Sequence, residues 1–196
     1  MRIGLIRHGE TDWNAQQRLQ GAMDIPLNDR GLEQAEDAAR LLRGHEWARV
    51  HASTLGRARR TAEIIAEHLE LPAPVLEPEL VERSFGELEG MRVYDDEGNR
   101  VDLEHPSVET RESVVERSLA ALRGIAERAR GAGAADTLVV AHGTVIRFVL
   151  TELLGWPAPH ISNLAMSVIE VDDDAPGGFR VVTANGYPIA DAARVR

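Results

Sequence analysis

Apolar residues recur along this chain in two rhythms. Short apolar runs bounded by turn formers alternate with longer stretches whose apolar positions fall every three or four residues. Residues 2–6 form the first run and predict a strand that ends at Arg7-His8-Gly9. A polar loop follows, marked by Gly21, Pro26 and Asn28. Asn28 is placed to cap a helix whose apolar face is Leu32, Ala35, Ala39 and Leu42, and Gly44 ends it. Residues 50–52 predict a second short strand. Residues 55–69 predict a helix with Ala58, Ala62, Ile65 and Leu69 on one side and Pro72 beyond its end.

The stretch 72–106 is irregular and acidic, with room for a short strand but not for a long helix. Residues 109–130 then read as a helix, with Val115, Leu119, Leu122 and Ala126 at helical spacing. Residues 137–141 are an apolar strand that ends at His142-Gly143, and 144–154 is the next helix. Strands over 164–171 and 179–184 are joined by a turn through 172–178, whose Asp172-Asp173-Asp174 run reads as solvated. Alternating strands and helices predict a three-layer α/β/α domain. It would span residues 1–196, with a mostly parallel central sheet and a C-terminal hairpin at the edge. Ligands of such sheets bind beyond the carboxyl ends of the strands. His8 and His142 both sit at strand ends, so the fold would bring them into one crevice.

Composition narrows the chemistry. The chain has 196 residues, 43% hydrophobic and 28% charged, as expected of one ordinary globular domain. Its formal net charge of -10 argues against nucleic acid or an anionic membrane as the main partner. Without cysteine there is no disulfide, thiolate site or Cys nucleophile. All 22 basic residues are arginine, which excludes Schiff-base and Walker-lysine chemistry; arginine binds phosphate oxygens through a planar fork, and an arginine-rich genome is an equally open reason for the usage. No apolar run approaches the roughly 18 residues of a membrane span. The opening MRIGLIRHG is too poor in apolar residues for a signal peptide, so a cytoplasmic location is expected. Trp156 and Ile161 suit either the core or a homodimer interface.

Taken singly, His8, Thr11, Asn14, Arg57, Glu82 and His142 are weak signals. Together they are specific. Arg7-His8-Gly9-Glu10-Thr11-Asp12-Trp13-Asn14 resembles the RHGxTxxN signature of the histidine phosphatase superfamily, whose fold is phosphoglycerate mutase-like. Arg18-Leu19-Gln20-Gly21 and Pro26 to Gly31 resemble its next blocks. Ser53-Thr54-Leu55-Gly56-Arg57-Ala58 resembles its SxLxRA helix start, Glu82 to Gly90 its ExxFGxxEG segment, and Val140-Ala141-His142-Gly143 its second-histidine block. The blocks occur in order across nearly the whole chain. In this alignment Arg111-Glu112-Ser113 stands where many relatives have Gly-Glu-Ser before the long helix.

The resemblance implies the phosphatase branch: a phosphoric monoester hydrolase acting on a small phosphorylated metabolite without metal or cofactor. His8 would attack phosphorus and form a phosphohistidine. Arg7, Arg57 and His142 would surround the phosphoryl oxygens, because phosphoryl transfer needs positioning and charge stabilisation above all. Thr11, Asn14, Gln20 and Gly21 would complete the pocket, Asn14 and backbone N–H groups near Gly21 donating hydrogen bonds. Glu82 matches the family's acid. It must hold a proton as the leaving group departs, which burial or the substrate's charge would favour. Two alternatives stay open: a cofactor-dependent phosphoglycerate mutase, and an inactive relative that only binds. The short acidic segment 91–106 disfavours the mutase, because the family's mutases carry a longer insertion there. The filled catalytic positions disfavour the inactive relative.

Overall fold

A computed structural model of the chain describes residues 1–133 and 135–189. The strands β1 (Arg2–Arg7), β2 (Arg49–Ser53), β3 (Val75–Glu77), β4 (Thr137–Ala141), β5 (Met166–Val171), β6 (Phe179–Ala184) and β7 (Tyr187–Pro188) form one sheet in the order β3-β2-β4-β1-β5-β6-β7. The first four in that order run parallel, and β5, β6 and β7 continue antiparallel to the edge. The helices are α1 (Asp12–Ala15), α2 (Asp29–Leu42), α3 (Gly56–His68), α4 (Arg111–Gly131) and α5 (Gly143–Leu154).

Period-two alternation divides the core between the two faces of the sheet. Ile3 and Leu5 of β1 and Val139 and Ala141 of β4 pack with α4 and α5. Ile6 of β1 and Leu138 and Val140 of β4 pack with α2 and α3. This is the expected three-layer arrangement. β4 is buried along its whole length, as its TLVVA run requires. Gly4 is needed in β1 because a Cβ there would lie 2.9 Å from Leu138 Cδ2 and 3.1 Å from Met166 Sδ.

The helix boundaries follow their caps. Asn28 accepts from Gly31 N–H and starts α2 as expected. Gly155 ends α5 in the left-handed region, at φ 70°. Thr110 caps α4 by accepting from Ser113 N–H. Arg111-Glu112-Ser113 therefore forms the first turn of the helix, and the residues that precede it are Val108-Glu109-Thr110.

Three further elements differ from expectation. In the stretch read as a polar loop, Thr11 and Asn14 cap each other reciprocally and start α1. β5 begins at Met166 and not at 164, because Leu164 turns to φ 56° and donates its N–H to Arg7 O. β7 extends the hairpin by a strand of two residues. Ile161 is core, whereas Trp156 is half-buried. Asp173 pairs with Arg130 at the surface of the 172–178 turn.

Candidate active site

Parallel pairing of β1 with β4 aligns Arg7 with Ala141, so the next residues, His8 and His142, leave the sheet side by side. His8 N–H still donates to Ala141 O at 3.0 Å, which continues the ladder one step past the strand. The two imidazoles lie 5.2 Å apart between ring centroids, tilted by 59°. β2, on the other side of β4, ends at Ser53, whose Oγ is 2.8 Å from His142 Nε2. The chain then enters α3 and carries Arg57 in on the first turn. α5 starts immediately after His142, so the positive end of its dipole faces the same place.

Both histidines are buried and face cations. Burial, then Arg57 and Arg7, hold the His8 imidazole well below its ordinary pKa. Burial, then Arg57, His8 and Arg7, do the same to His142. Each is therefore neutral at neutral pH. His8 Nδ1 lies 2.7 Å from Gly9 O, an acceptor, so Nδ1 carries the ring proton and Nε2 keeps its lone pair. The Gly9 backbone is itself held by its N–H bond to Thr61 Oγ1 at 3.1 Å.

Arg57 is only 1% exposed. Nη1 donates to Met23 O at 2.7 Å and Nη2 to Gly21 O at 2.8 Å. Arg7 Nη1 donates to Ile161 O at 2.7 Å. The Nε atoms of both arginines and His142 Nδ1 are buried without a protein hydrogen-bond partner among the described residues. Buried donors are rarely left so. Burial lowers both arginine pKa values, and the charge of Glu82 opposes this in each case. Glu82 is buried. Its Oε1 accepts from Arg83 N–H at 2.8 Å, and its Oε2 accepts at 3.2 Å from Thr144 N–H, in the first turn of α5.

The structure thus brings Arg7, His8, Arg57, Glu82 and His142 together. The loop residues take different parts. Thr11 and Gln20 are buried, and the Thr11 hydroxyl donates to Gln20 Oε1 at 2.9 Å, so the two brace each other. Asn14 Oδ1 accepts from Thr11 N–H at 3.2 Å and Asn163 Nδ2 at 3.4 Å, which leaves the Nδ2 end of Asn14 as its outward donor. Gly21 has φ 53°, and a Cβ there would lie 2.1 Å from Glu89 Oε1. That oxygen accepts from the N–H groups of Ala22 and Phe85, tying the 17–23 loop to the Glu82 segment. Ser53, Glu89, Arg117 and Asn163 were given no role from sequence. Asn163 Nδ2 also donates to His8 O at 2.8 Å across 155 positions of chain, a contact no local pattern announces.

Residues 3–185 match the histidine phosphatase superfamily (branch 1). PhoE of Bacillus subtilis (strain 168), described as an uncharacterized phosphatase, is 40% identical over 88% of this chain and 89% of its own. GpmB of Salmonella arizonae, described as a probable phosphoglycerate mutase, is 34% identical over 98% of this chain and 96% of its own. The structure of Bacillus stearothermophilus YhfR superposes with a TM-score of 0.80 at 28% identity, covering 95% of this chain and 96% of that one. Paired strand ends, two neutral histidines beside Arg7 and Arg57 and a match across nearly the whole sequence lead to one assignment: this chain belongs to the histidine phosphatase superfamily, branch 1.

Proposed function

We propose that the chain is a cytoplasmic phosphomonoesterase that hydrolyses small phosphorylated metabolites through a phosphohistidine on His8. The observation that carries this reading is the neutral His8 imidazole, its Nε2 lone pair free, beside His142 and under the charges of buried Arg57 and half-buried Arg7. In the first step Nε2 attacks phosphorus as the ester P–O bond breaks, and the departing alkoxide takes a proton from Glu82. In the second, Glu82 removes a proton from water, the oxygen attacks phosphorus, and the N–P bond breaks. Its electrons return to Nε2, and inorganic phosphate leaves. Arg7, Arg57 and the amino end of α5 hold the equatorial oxygens. In this reading the His142 ring proton sits on Nδ1, with Nε2 accepting from the Ser53 hydroxyl 2.8 Å away, so the Nδ1 atom, without a partner among the described residues, donates to the same oxygens. Asn14 Nδ2 and Gly21 N–H complete the cradle, and Thr11 and Gln20 shape it.

A mutase reading draws on the GpmB likeness. Against it stands the segment 91–106. It is pinned to the 17–19 loop by Leu19 N–H to Met91 O and Val93 N–H to Gln17 O. It carries Asp95, Asp96, Glu97, Asp102 and Glu104 against only Arg92 and Arg100, a poor clamp for a trianion. A screen of phosphorylated metabolites and p-nitrophenyl phosphate, reading inorganic phosphate, tests the proposal. Phosphate release without added bisphosphoglycerate supports it. Isomerisation of phosphoglycerates that depends on bisphosphoglycerate, with little phosphate release, overturns it in favour of the mutase. No turnover of any ester leaves only a binding role.

A further inference from the structure

Glu82 lies in a segment that the sheet does not hold. Between the 3-10 turns Pro78–Leu80 and Gly86–Leu88, its backbone has no strand partner. One side chain takes that place. Arg117, on α4, is 14% exposed, and its Nη1 donates to Glu79 O at 2.6 Å and Val81 O at 2.8 Å. Its Nη2 reaches Glu82 O at 3.4 Å. The same guanidinium grips Glu109 through Nε to Oε1 at 2.8 Å and Nη2 to Oε2 at 3.0 Å.

Glu109 carries the grip to the far side of Glu82. Its Oε2 accepts from Ser84 N–H at 3.2 Å, its N–H donates to Ser84 O at 2.9 Å, and its carbonyl accepts from Arg83 Nε at 2.7 Å. The Glu82 backbone is thus fixed from residue 79 to residue 84 by one ion pair rooted on α4. The carboxyl itself is moored to the phosphoryl pocket through Thr144 N–H. A lysine has no planar fork and cannot span three carbonyls and a carboxylate at once.

We infer that Arg117 is the positioning residue that sets the Glu82 carboxyl against the leaving oxygen. The inference rests on the assignment of Glu82 as the general acid. Arg117 makes no hydrogen bond to Arg7, His8, Arg57 or His142, and its charge is the smallest of the causes that lower the His142 imidazole, so its loss disturbs proton delivery and leaves the phosphoryl cradle standing. A misplacement of about 1 Å costs roughly 10²-fold where geometry governs the step. That cost falls on esters whose leaving group needs a proton, and hardly on p-nitrophenolate.

The test compares kcat/KM, which reports the steps through phosphohistidine formation, for glycerol 2-phosphate and p-nitrophenyl phosphate. The full-length proteins are wild type, Arg117→Ala, Arg117→Lys and Glu82→Gln. In Arg117→Ala the alkyl-to-aryl ratio should fall by about 10²-fold. Binding of inorganic phosphate, read by calorimetry, should confirm the intact cradle. Arg117→Lys should show the same direction and decides the matter if the alanine variant does not fold. An unchanged ratio in a folded Arg117 variant, whether both rates fall together or neither does, overturns the inference when Glu82→Gln still lowers the ratio. If Glu82→Gln also leaves the ratio unchanged, the acid assignment fails, and the inference fails with it.

Discussion

The two ends of the sheet hold histidines in opposite company. At the amino ends of β2 and β4 lies an open cleft of about 1050 Å³, lined by Arg43, His45, Trp47, His68, Glu70 and Asp136. Its histidines face carboxylates: His45 Nε2 is 2.9 Å from Asp136 Oδ2, and His68 Nε2 is 2.7 Å from Glu36 Oε2. At the carboxyl ends, His8 and His142 are buried and face arginines, with donors left without partners among the described residues. Chemistry selects the second. A histidine satisfied by a carboxylate at the surface has little left to give a ligand. Buried cations around neutral imidazoles are costly unless an anion arrives to accept their hydrogen bonds.

Mutations can break this contrast. Glu82→Gln should lower the rate of alkyl phosphate hydrolysis by about 10²–10⁴-fold, the usual share of a general acid, and spare p-nitrophenyl phosphate far more in single-turnover formation of phosphohistidine. Changes under about twofold for every substrate would reduce Glu82 to a structural carboxylate. Next in size, Arg57→Ala should cost about 10²–10³-fold in kcat/KM, as loss of a preorganised donor does. His45→Ala and His68→Ala at the opposite end should change kcat/KM by less than about twofold. A comparable loss at the cleft would mean that the two ends are not functionally distinct.

Stability sharpens the comparison at smaller scale. His8 and His142 have folded pKa values pushed well below the ordinary 6.5, so below that pH the unfolded chain takes up protons that the folded one refuses. Stability is then full above about pH 6.5 and falls as the pH drops from there. His51, lowered chiefly by burial, adds in the same direction. Thermal midpoints measured from pH 8 to pH 5 should decline on the acid side, and the double variant His8→Asn, His142→Asn should decline less steeply. An equal slope in wild type and variant would contradict the buried-neutral description. The smallest expected effect is none: activity should survive exhaustive EDTA treatment, because arginines supply the positive charge. Loss of activity restored by a divalent ion would mean that a metal does part of that work.

Much of this was legible in the sequence wherever one stretch of chain carries its own signal. β1 and β4 announce themselves as apolar runs that stop at a histidine, and topology then pairs their ends. Arg57 was legible only through its block, since an arginine on a helix is ordinarily a solvated charge, as Arg59 and Arg60 are here. The rest depends on contacts remote in sequence. Arg117 reaches back 35 positions to Glu82, Asn163 reaches 155 to His8, and the left-handed turn at Leu164 follows from docking against Arg7. α4 begins at Arg111, two residues after the expected 109, because the Thr110 side chain accepts from Ser113 N–H and sets the boundary there.

The central claim is that His8 carries the phosphoryl group. The direct measurement is to mix the wild-type enzyme with a ³²P-labelled substrate, quench in base within one turnover, and map the labelled peptide. The account predicts an acid-labile, base-stable label on His8 that chases to inorganic phosphate, and no label and no turnover in His8→Ala. A label on His142 or any other residue, or substantial turnover by His8→Ala, would contradict it.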